Sequence, residues 1–159
     1  MPTPNFQIII DTDEKLPLEF PSREIITVRE ALGTGDYAIK IEDKLAPIRI
    51  ERKSIGDLFS SFCGDAYRRE KEKIERSKKI GARYVLAIEG SCSDVRKGYS
   101  YFKQGAWNHS KKDGLTMIRQ LMRISQKYHV PVHYFNGRDD MAFWIQECLL
   151  TEVRHAQTD

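Results

Sequence analysis

Two short apolar-alternating runs, Tyr37 to Ile41 and Pro47 to Glu51, flank the polar stretch Glu42-Asp43-Lys44. Alternation around a polar turn predicts a pair of antiparallel strands. With the turn centred near Lys44, Asp36 at the head of the first strand faces the Glu51 to Lys53 end of the second. Strand side chains alternate between faces, so Glu51 and Lys53 point one way and Arg52 the other. Two carboxylates and a lysine then share one patch. Carboxylates this close repel, and oxygen donors of this kind suit Mg²⁺ or Mn²⁺. A cation held there suits metal-assisted phosphodiester hydrolysis, with Lys53 positioning the attacking water or neutralising developing charge. A plain hairpin with Glu51, Arg52 and Lys53 in surface ion pairs satisfies the same spacing, which leaves both readings open.

The 159 residues suffice for one domain with a buried core. At 40% hydrophobic and 31% charged residues, the composition is that of a globular chain and not of a disordered one. No apolar run is long enough to span a bilayer, and Met1-Pro2-Thr3-Pro4-Asn5 lacks the basic and apolar regions of a signal peptide, so an intracellular protein without membrane insertion is expected. Cys63, Cys92 and Cys148 are widely spaced and odd in number, which fits reduced thiols and argues against a structural zinc site. The net charge of +3 permits a nucleic-acid partner without requiring one.

Phe6 to Ile10 reads as a buried strand delivering Asp11, which either faces a metal or forms a turn with its own backbone. Residues 15–22 read as a loop, and Arg23 to Val28 as either a short strand or a helix entry. Gly33-Thr34-Gly35 lacks the lysine of a phosphate loop and reads as a tight turn. Ser54 to Asp57 is a helix entry, Gly64-Asp65 a break, Ala66 to Ile80 a charged helix closed by Gly81, and Arg83 to Glu89 a second buried strand. Glu89 either looks into the site or pairs with a neighbouring arginine. Residues 91–114 read as a long loop interleaving Tyr99, Tyr101, Phe102 and Trp107 with Arg96, Lys97, Lys103, Lys111 and Lys112. Such interleaving suits stacking on unpaired bases, and equally rings folded over the core. His109 within it is a lone histidine. Leu115, Ile118, Leu121, Met122 and Tyr128 predict a core-packing helix, Pro131 to Phe135 a last strand flanked by His129 and His133, and residues 139–153 a helix packing through Phe143, Trp144 and Leu150.

Gly35-Asp36-Tyr37 followed by Ile50-Glu51-Arg52-Lys53-Ser54-Ile55-Gly56-Asp57-Leu58 resembles the signature of the XPF-type nuclease domain, a branch of the PD-(D/E)xK superfamily found in structure-specific DNA endonucleases. The resemblance extends to Ile8-Ile9-Ile10-Asp11 with Glu14, to residues 57–71 as a first long helix, and to Val85-Leu86-Ala87-Ile88-Glu89-Gly90 as the next strand. It covers roughly the whole chain, with Asp13 standing where the family often has arginine.

The resemblance implies an α/β fold, a central mixed sheet flanked by helices of the restriction-endonuclease-like kind, in a single nuclease domain spanning residues 1–159. It implies a Mg²⁺- or Mn²⁺-dependent endodeoxyribonuclease acting on branched, flap or junction DNA. Asp36 and Glu51 would bind metal, aided by the backbone carbonyl of Arg52; Lys53 would assist the water, and Asp57 would complete the acidic patch. Arg52, Arg68 and Arg69 are the candidate substrate-binding residues. Family members often carry a tandem helix-hairpin-helix domain that this sequence lacks, so a stand-alone form from a prokaryotic or phage-infected cell is expected, with homodimerisation or a targeting partner open. The alternatives are a non-catalytic nucleic-acid-binding module that kept the fold, and a nuclease acting on RNA.

Overall fold

A computed structural model describes residues 5–158. The strands are β1 (Phe6–Ile10), β2 (Thr27–Arg29), β3 (Tyr37–Ile41), β4 (Lys44–Leu45), β5 (Ile48–Ser54), β6 (Arg83–Glu89), β7 (Ser100–Lys103), β8 (Ala106–His109) and β9 (Val132–Phe135). Seven build one mixed sheet in the order β2-β1-β3-β5-β6-β9, with β4 attached to β3, while β7 and β8 form a separate two-stranded ribbon. β1, β3 and β5 pair antiparallel in turn, whereas β5, β6 and β9 are parallel. Parallel neighbours need crossovers. Helices α1 (Ile55–Ser61) and α2 (Gly64–Lys79) make the first; α3 (Cys92–Lys97), the ribbon and α4 (Gly114–Tyr128) make the second, and α5 (Arg138–Ala156) closes the chain. The undecided stretch before Arg29 resolves to a strand, β2, parallel to β1.

The predicted hairpin forms, with its reversal earlier than expected. Glu42 and Asp43 take left-handed φ values of 47° and 63°, the geometry of a two-residue hairpin turn, instead of a turn centred on Lys44. Ile41 pairs with Lys44 and Lys40 with Leu45. Continued unbroken, that register would set Tyr37 opposite Ile48. Ala46 and Pro47 intervene, Pro47 having no N–H to offer the ladder, and Tyr37 pairs with Ile50. A slip of two residues preserves the face of every side chain. It also brings Asp36 level with Glu51, the apposition that the sequence predicts.

Period-two alternation sorts the core into two layers. On one face of the sheet, Ile8, Ile39, Ile50, Val85 and Ala87 pack against Met141, Ile145 and Leu149 of α5. On the other, Leu86 and Ile88 of β6 meet Leu58 of α1, Ile74 of α2, and Met117, Leu121 and Ile124 of α4. The inward stripe of α4 therefore differs from the one expected: Leu121 and Ile124 are fully buried, each contributing about 2 kcal/mol of transfer free energy, whereas Leu115 and Met122 are exposed. In α5, Phe143 is likewise exposed, while Trp144 and Leu150 only flank the core. Residues 91–114, expected as a loop, hold α3 and the ribbon. Ser91 and Asp94 form a reciprocal capping box at the start of α3, and Gln104 and Gly105 turn the ribbon at φ 53° and 74°. Among the described residues, no helix is long and apolar enough to cross a membrane.

Gly35 precedes β3 at φ 76°, and a Cβ there would lie 2.9 Å from the Cβ of Arg49 on β5. Both conformation and clearance demand glycine, because the chain must run close beside β5 to set Asp36 level with Glu51. Gly35→Ala is expected to lower stability by about 2 kcal/mol, read as a shift in urea midpoint at unchanged slope.

Candidate active site

β5 carries charged residues on both faces as it leaves the core, and each face meets its own partners. Glu51 and Lys53 face α2, where Glu70 and Lys73, three residues apart, present their side chains on one side of the helix. Lys53 Nζ lies 2.9 Å from Glu51 Oε1 and 2.9 Å from Glu70 Oε1. Lys73 Nζ lies 2.6 Å from the same Glu51 oxygen and 3.2 Å from the same Glu70 oxygen. Two carboxylates and two ammonium groups close a neutral ring around Glu51, which is 3% exposed. Glu70 and Lys73 were not among the sequence candidates; the signal for them lay in their common helix face, masked by the high charge of the whole helix.

Arg52 points the other way, as alternation requires. Its Nε and Nη2 donate to the two carboxylate oxygens of Glu14 at 3.0 and 3.1 Å, and its Nη1 donates to Glu89 Oε2 at 2.6 Å. Arg138 Nη1 lies 3.4 Å from the same Glu89 oxygen. A second neutral group thus forms behind β5, with Glu89 in the ion pair and not in the hollow. The Arg52 guanidinium is committed to carboxylates, unlike an open phosphate arm.

Asp36 belongs to neither group. Its Oδ2 accepts the backbone N–H of Arg52 at 2.7 Å. Burial, then the charge of Glu51, pushes its carboxyl up to about 8, against which the Arg52 N–H works. Glu51 responds in the opposite direction: burial alone would raise it, but Lys53 and Lys73 outweigh burial and hold it below the usual carboxylate range. Burial disfavours the Lys53 ammonium, yet Glu51 and Glu70 overcome that and raise its pKa. Lys53 therefore stays protonated at neutral pH.

Asp36, Glu51, Lys53 and Asp57, with Asp13 and Glu14, line one hollow of about 400 Å³. An adjoining hollow of about 310 Å³ shares Asp36 and Glu51 and adds Lys73 and Arg76. A larger cavity, about 490 Å³, lies elsewhere, lined by groups such as Tyr84, Tyr128 and Trp144. Its lining holds no carboxylate pair facing a lysine, whereas the smaller hollows do. Asp57 is exposed at the rim, where Ser54 Oγ donates to its Oδ2 at 2.7 Å and accepts from its N–H at 3.1 Å, capping α1. Asp11 takes the turn-forming role: its Oδ1 accepts from the Asp13 N–H and its Oδ2 from the Leu32 N–H. Arg68 and Arg69 are exposed on α2. Arg68 lies 3.8 Å from Glu72 and borders a separate groove. Lys73 and Arg76 are the basic residues that α2 brings to the hollow.

The donor set fits a hard divalent cation. Oδ2 of Asp36 and Oε1 of Glu51 are engaged, and the second oxygen of each accepts no hydrogen bond among the described residues. Unlike Glu14 and Glu51, which line the same hollow, Asp36 stands outside both neutral groups. Among the described residues, no three His, Cys, Asp or Glu side chains are grouped to hold a metal ion. Two carboxylates supplemented by water and substrate phosphate oxygens are the usual Mg²⁺ arrangement.

Arg52→Met leaves Glu14 and Glu89 without their shared partner and is expected to cost about 3 kcal/mol of stability, measured by urea unfolding. Because the folded Asp36 binds its proton up to about pH 8 and the unfolded one only to its ordinary 3.8, stability contributed by the protonated form is lost as pH rises between these values. In EDTA, Asp36→Asn should therefore melt higher than the parent at pH 8.5, with the difference shrinking steadily toward pH 4. A gap independent of pH contradicts the raised carboxyl.

The family model of the ERCC4 domain matches residues 10–148. No curated protein sequence matches the chain. Of solved structures, XPF from Aeropyrum pernix superposes with a TM-score of 0.64 at 17% identity, over 95% of this chain and 70% of that one. XPF from Aeropyrum pernix in complex with DNA gives 0.62 at 16% identity, over 97% of this chain and 66% of that one. These likenesses establish a shared fold, a mixed sheet flanked by helices, and the matched family model covers most of the sequence. The chain belongs to the ERCC4-domain family, the XPF-type nuclease domains of structure-specific DNA endonucleases.

Proposed function

We propose that this chain is a divalent-metal-dependent endodeoxyribonuclease, with branched, flap or junction DNA as its substrate and residues 1–159 forming one nuclease domain. The observation that carries the reading is the isolation of Asp36. Lys53, Lys73 and Arg52 are bound into neutral groups with Glu51, Glu70, Glu14 and Glu89, while Asp36 stands beside Glu51 with no cationic side chain in hydrogen-bond contact. Burying a carboxylate in that state is costly, and a cation between Asp36 and Glu51 removes the cost.

Asp36 and Glu51 would hold Mg²⁺ or Mn²⁺, which when bound supplies positive charge to the scissile phosphate and acidity to the attacking water. Lys53 is a hydrogen-bond donor, not a base. Held protonated between Glu51 and Glu70, it orients the water or stabilises charge developing on the phosphate. Glu70 fixes the Lys53 rotamer from behind, and Lys73 holds Glu51 from the helix side. Arg76 at the adjoining hollow is placed to meet a phosphate oxygen, ahead of Arg68 and Arg69. Arg52 keeps β5 and the Glu14 segment together, so that its backbone N–H aims at Asp36. Asp57 contributes negative potential at the rim while capping α1.

End-labelled duplex, single strand, flap, fork and four-way junction, incubated with Mg²⁺ and then Mn²⁺, test the reading against Glu51→Gln. The parent is expected to cut a branched substrate, and the variant to lose at least about 100-fold in rate with an unchanged circular-dichroism spectrum. A folded variant that cuts at the parent's rate refutes the site. Tight binding by the parent without cutting in either metal would make the chain a binding module.

A further inference from the structure

The ribbon of β7 and β8 stands apart from the main sheet, and its facing positions are Ser100 with His109, Tyr101 with Asn108, Phe102 with Trp107, and Lys103 with Ala106. Alternation divides these into two faces. The face bearing Tyr101 turns to the body of the protein, because Tyr101 stacks on Tyr99 at 5.7 Å between ring centres and Tyr99 stacks on Phe59 of α1 at 6.3 Å. The Tyr99 ring lies hard against the first turn of α1, where a Cβ on Gly56 would meet its hydroxyl at 2.9 Å. The opposite face holds Phe102 and Trp107 directly across from each other, edge to face at 5.7 Å. These two are 62% and 70% exposed. Among the described residues, none buries them.

Helix α1 follows directly on the end of β5 at Ser54 and carries Asp57 at the rim of the hollow. The Phe59–Tyr99–Tyr101 stack therefore ties the ribbon to the element that borders the candidate active site. Residues 95–112 contain Arg96, Lys97, Lys103, Lys111 and Lys112 and no acidic residue. Lys112 is tied inward to Gln120 and to the Phe62 carbonyl, whereas Arg96, Lys97, Lys103 and Lys111 are exposed around the ribbon. Lys97 lies 3.7 Å from Asp94, whereas Arg96, Lys103 and Lys111 have no ion pair among the described residues. Two largely exposed rings amid this surplus of positive charge match one kind of ligand: a strand whose phosphates are anionic and whose bases have an uncovered π-face. Paired bases in a duplex expose only their edges, so the rings select unpaired nucleotides.

We infer that the β7–β8 ribbon is a base-stacking clamp, in which Phe102 and Trp107 hold unpaired bases of a single-stranded arm beside the hollow while the exposed cations of the segment follow the backbone. This assignment rests on the nuclease reading for its substrate, and it names the feature recognised there: the unpaired arm, not the duplex. Tyr99 and Tyr101, also aromatic and in the same segment, are the structural link to α1.

The test is binding in EDTA, where no cutting interferes. In a Trp144→Phe background, Trp107 is the sole tryptophan, and its emission should be quenched by an oligothymidylate and by a flap but not by blunt duplex. Phe102→Ala with Trp107→Ala should weaken flap binding by about tenfold and duplex binding by no more than about twofold. The paired Phe102→Leu and Trp107→Leu variant keeps apolar bulk without a π-face and should lose the same affinity. Parent-like flap binding by the leucine variant, equal loss on flap and duplex, or a change of sedimentation state showing that the rings join two copies would each overturn the clamp. The Glu51→Gln cleavage assay reads the nuclease assignment separately, so an inactive chain that still binds unpaired DNA through these rings leaves the clamp standing.

Discussion

Charges beside a core must be matched before they can be buried, and strand β5 meets that requirement twice. The forward ring of Glu51, Lys53, Glu70 and Lys73 joins the sheet to α2. The rear group of Arg52, Glu14, Glu89 and Arg138 joins the same strand to the segment after β1, to the end of β6 and to the start of α5. Each is neutral, and each draws its partners from distant parts of the sequence. Loss of a buried member such as Glu51 or Arg52 leaves its partners unbalanced at low dielectric, so the two groups hold the local geometry more strictly than apolar contacts alone.

This compensation stops at Asp36. The hairpin register sets it beside Glu51, where its own burial and the neighbouring carboxylate raise its proton affinity. An enzyme site commonly concentrates unfavourable electrostatics at the place where a ligand relieves it, and the surrounding neutral groups absorb everything else. Preorganisation and instability are thus one arrangement: the lysines that keep Glu51 ionised are fixed by Glu70, and Asp36 has only a backbone N–H.

Several elements were legible because one residue type at one spacing has one physical consequence. The alternation of Tyr37 to Ile41 and Pro47 to Glu51, the apolar run of β6 and the helix entry within Ser54 to Asp57 all appear where local pattern puts them, with β5 beginning at Ile48 and Ser54 serving as the cap. The expected stripe of α4 agrees with the structure at Leu121, Ile118 and Tyr128 and differs at Leu115 and Met122, which are exposed where Met117 and Ile124 are buried, because both pairs sit at helical spacing and only the facing strand chooses between them. Residues 91–114 were read as a loop although the Ser91–Asp94 capping box was present, because the six-residue α3 and the four-residue strands of the ribbon are too short for periodicity to register. Within the site, Asp36, Glu51 and Lys53 came from strand alternation. Glu70 and Lys73 stayed hidden in a helix with charges on every face.

The amino-acid sequence by itself determined which groups share a strand face and where the chain turns, since alternation, capping and left-handed turn positions act within a few residues. It determined the opposition of Glu51 and Lys53 to Arg52, and the nearness of Asp36 to both. Tertiary structure alone decided which charges are neutralised: that Lys73 and Glu70 close on Glu51 and Lys53, that Arg52 is spent on Glu14 and Glu89, and that Asp36 is left over. It also decided that Tyr99 stacks on Phe59 and Tyr101 on Tyr99, while Phe102 and Trp107 stand out further. Ion pairing and burial depend on distances between residues far apart in the chain, and those distances exist only once the sheet has been assembled and the helices have packed against it.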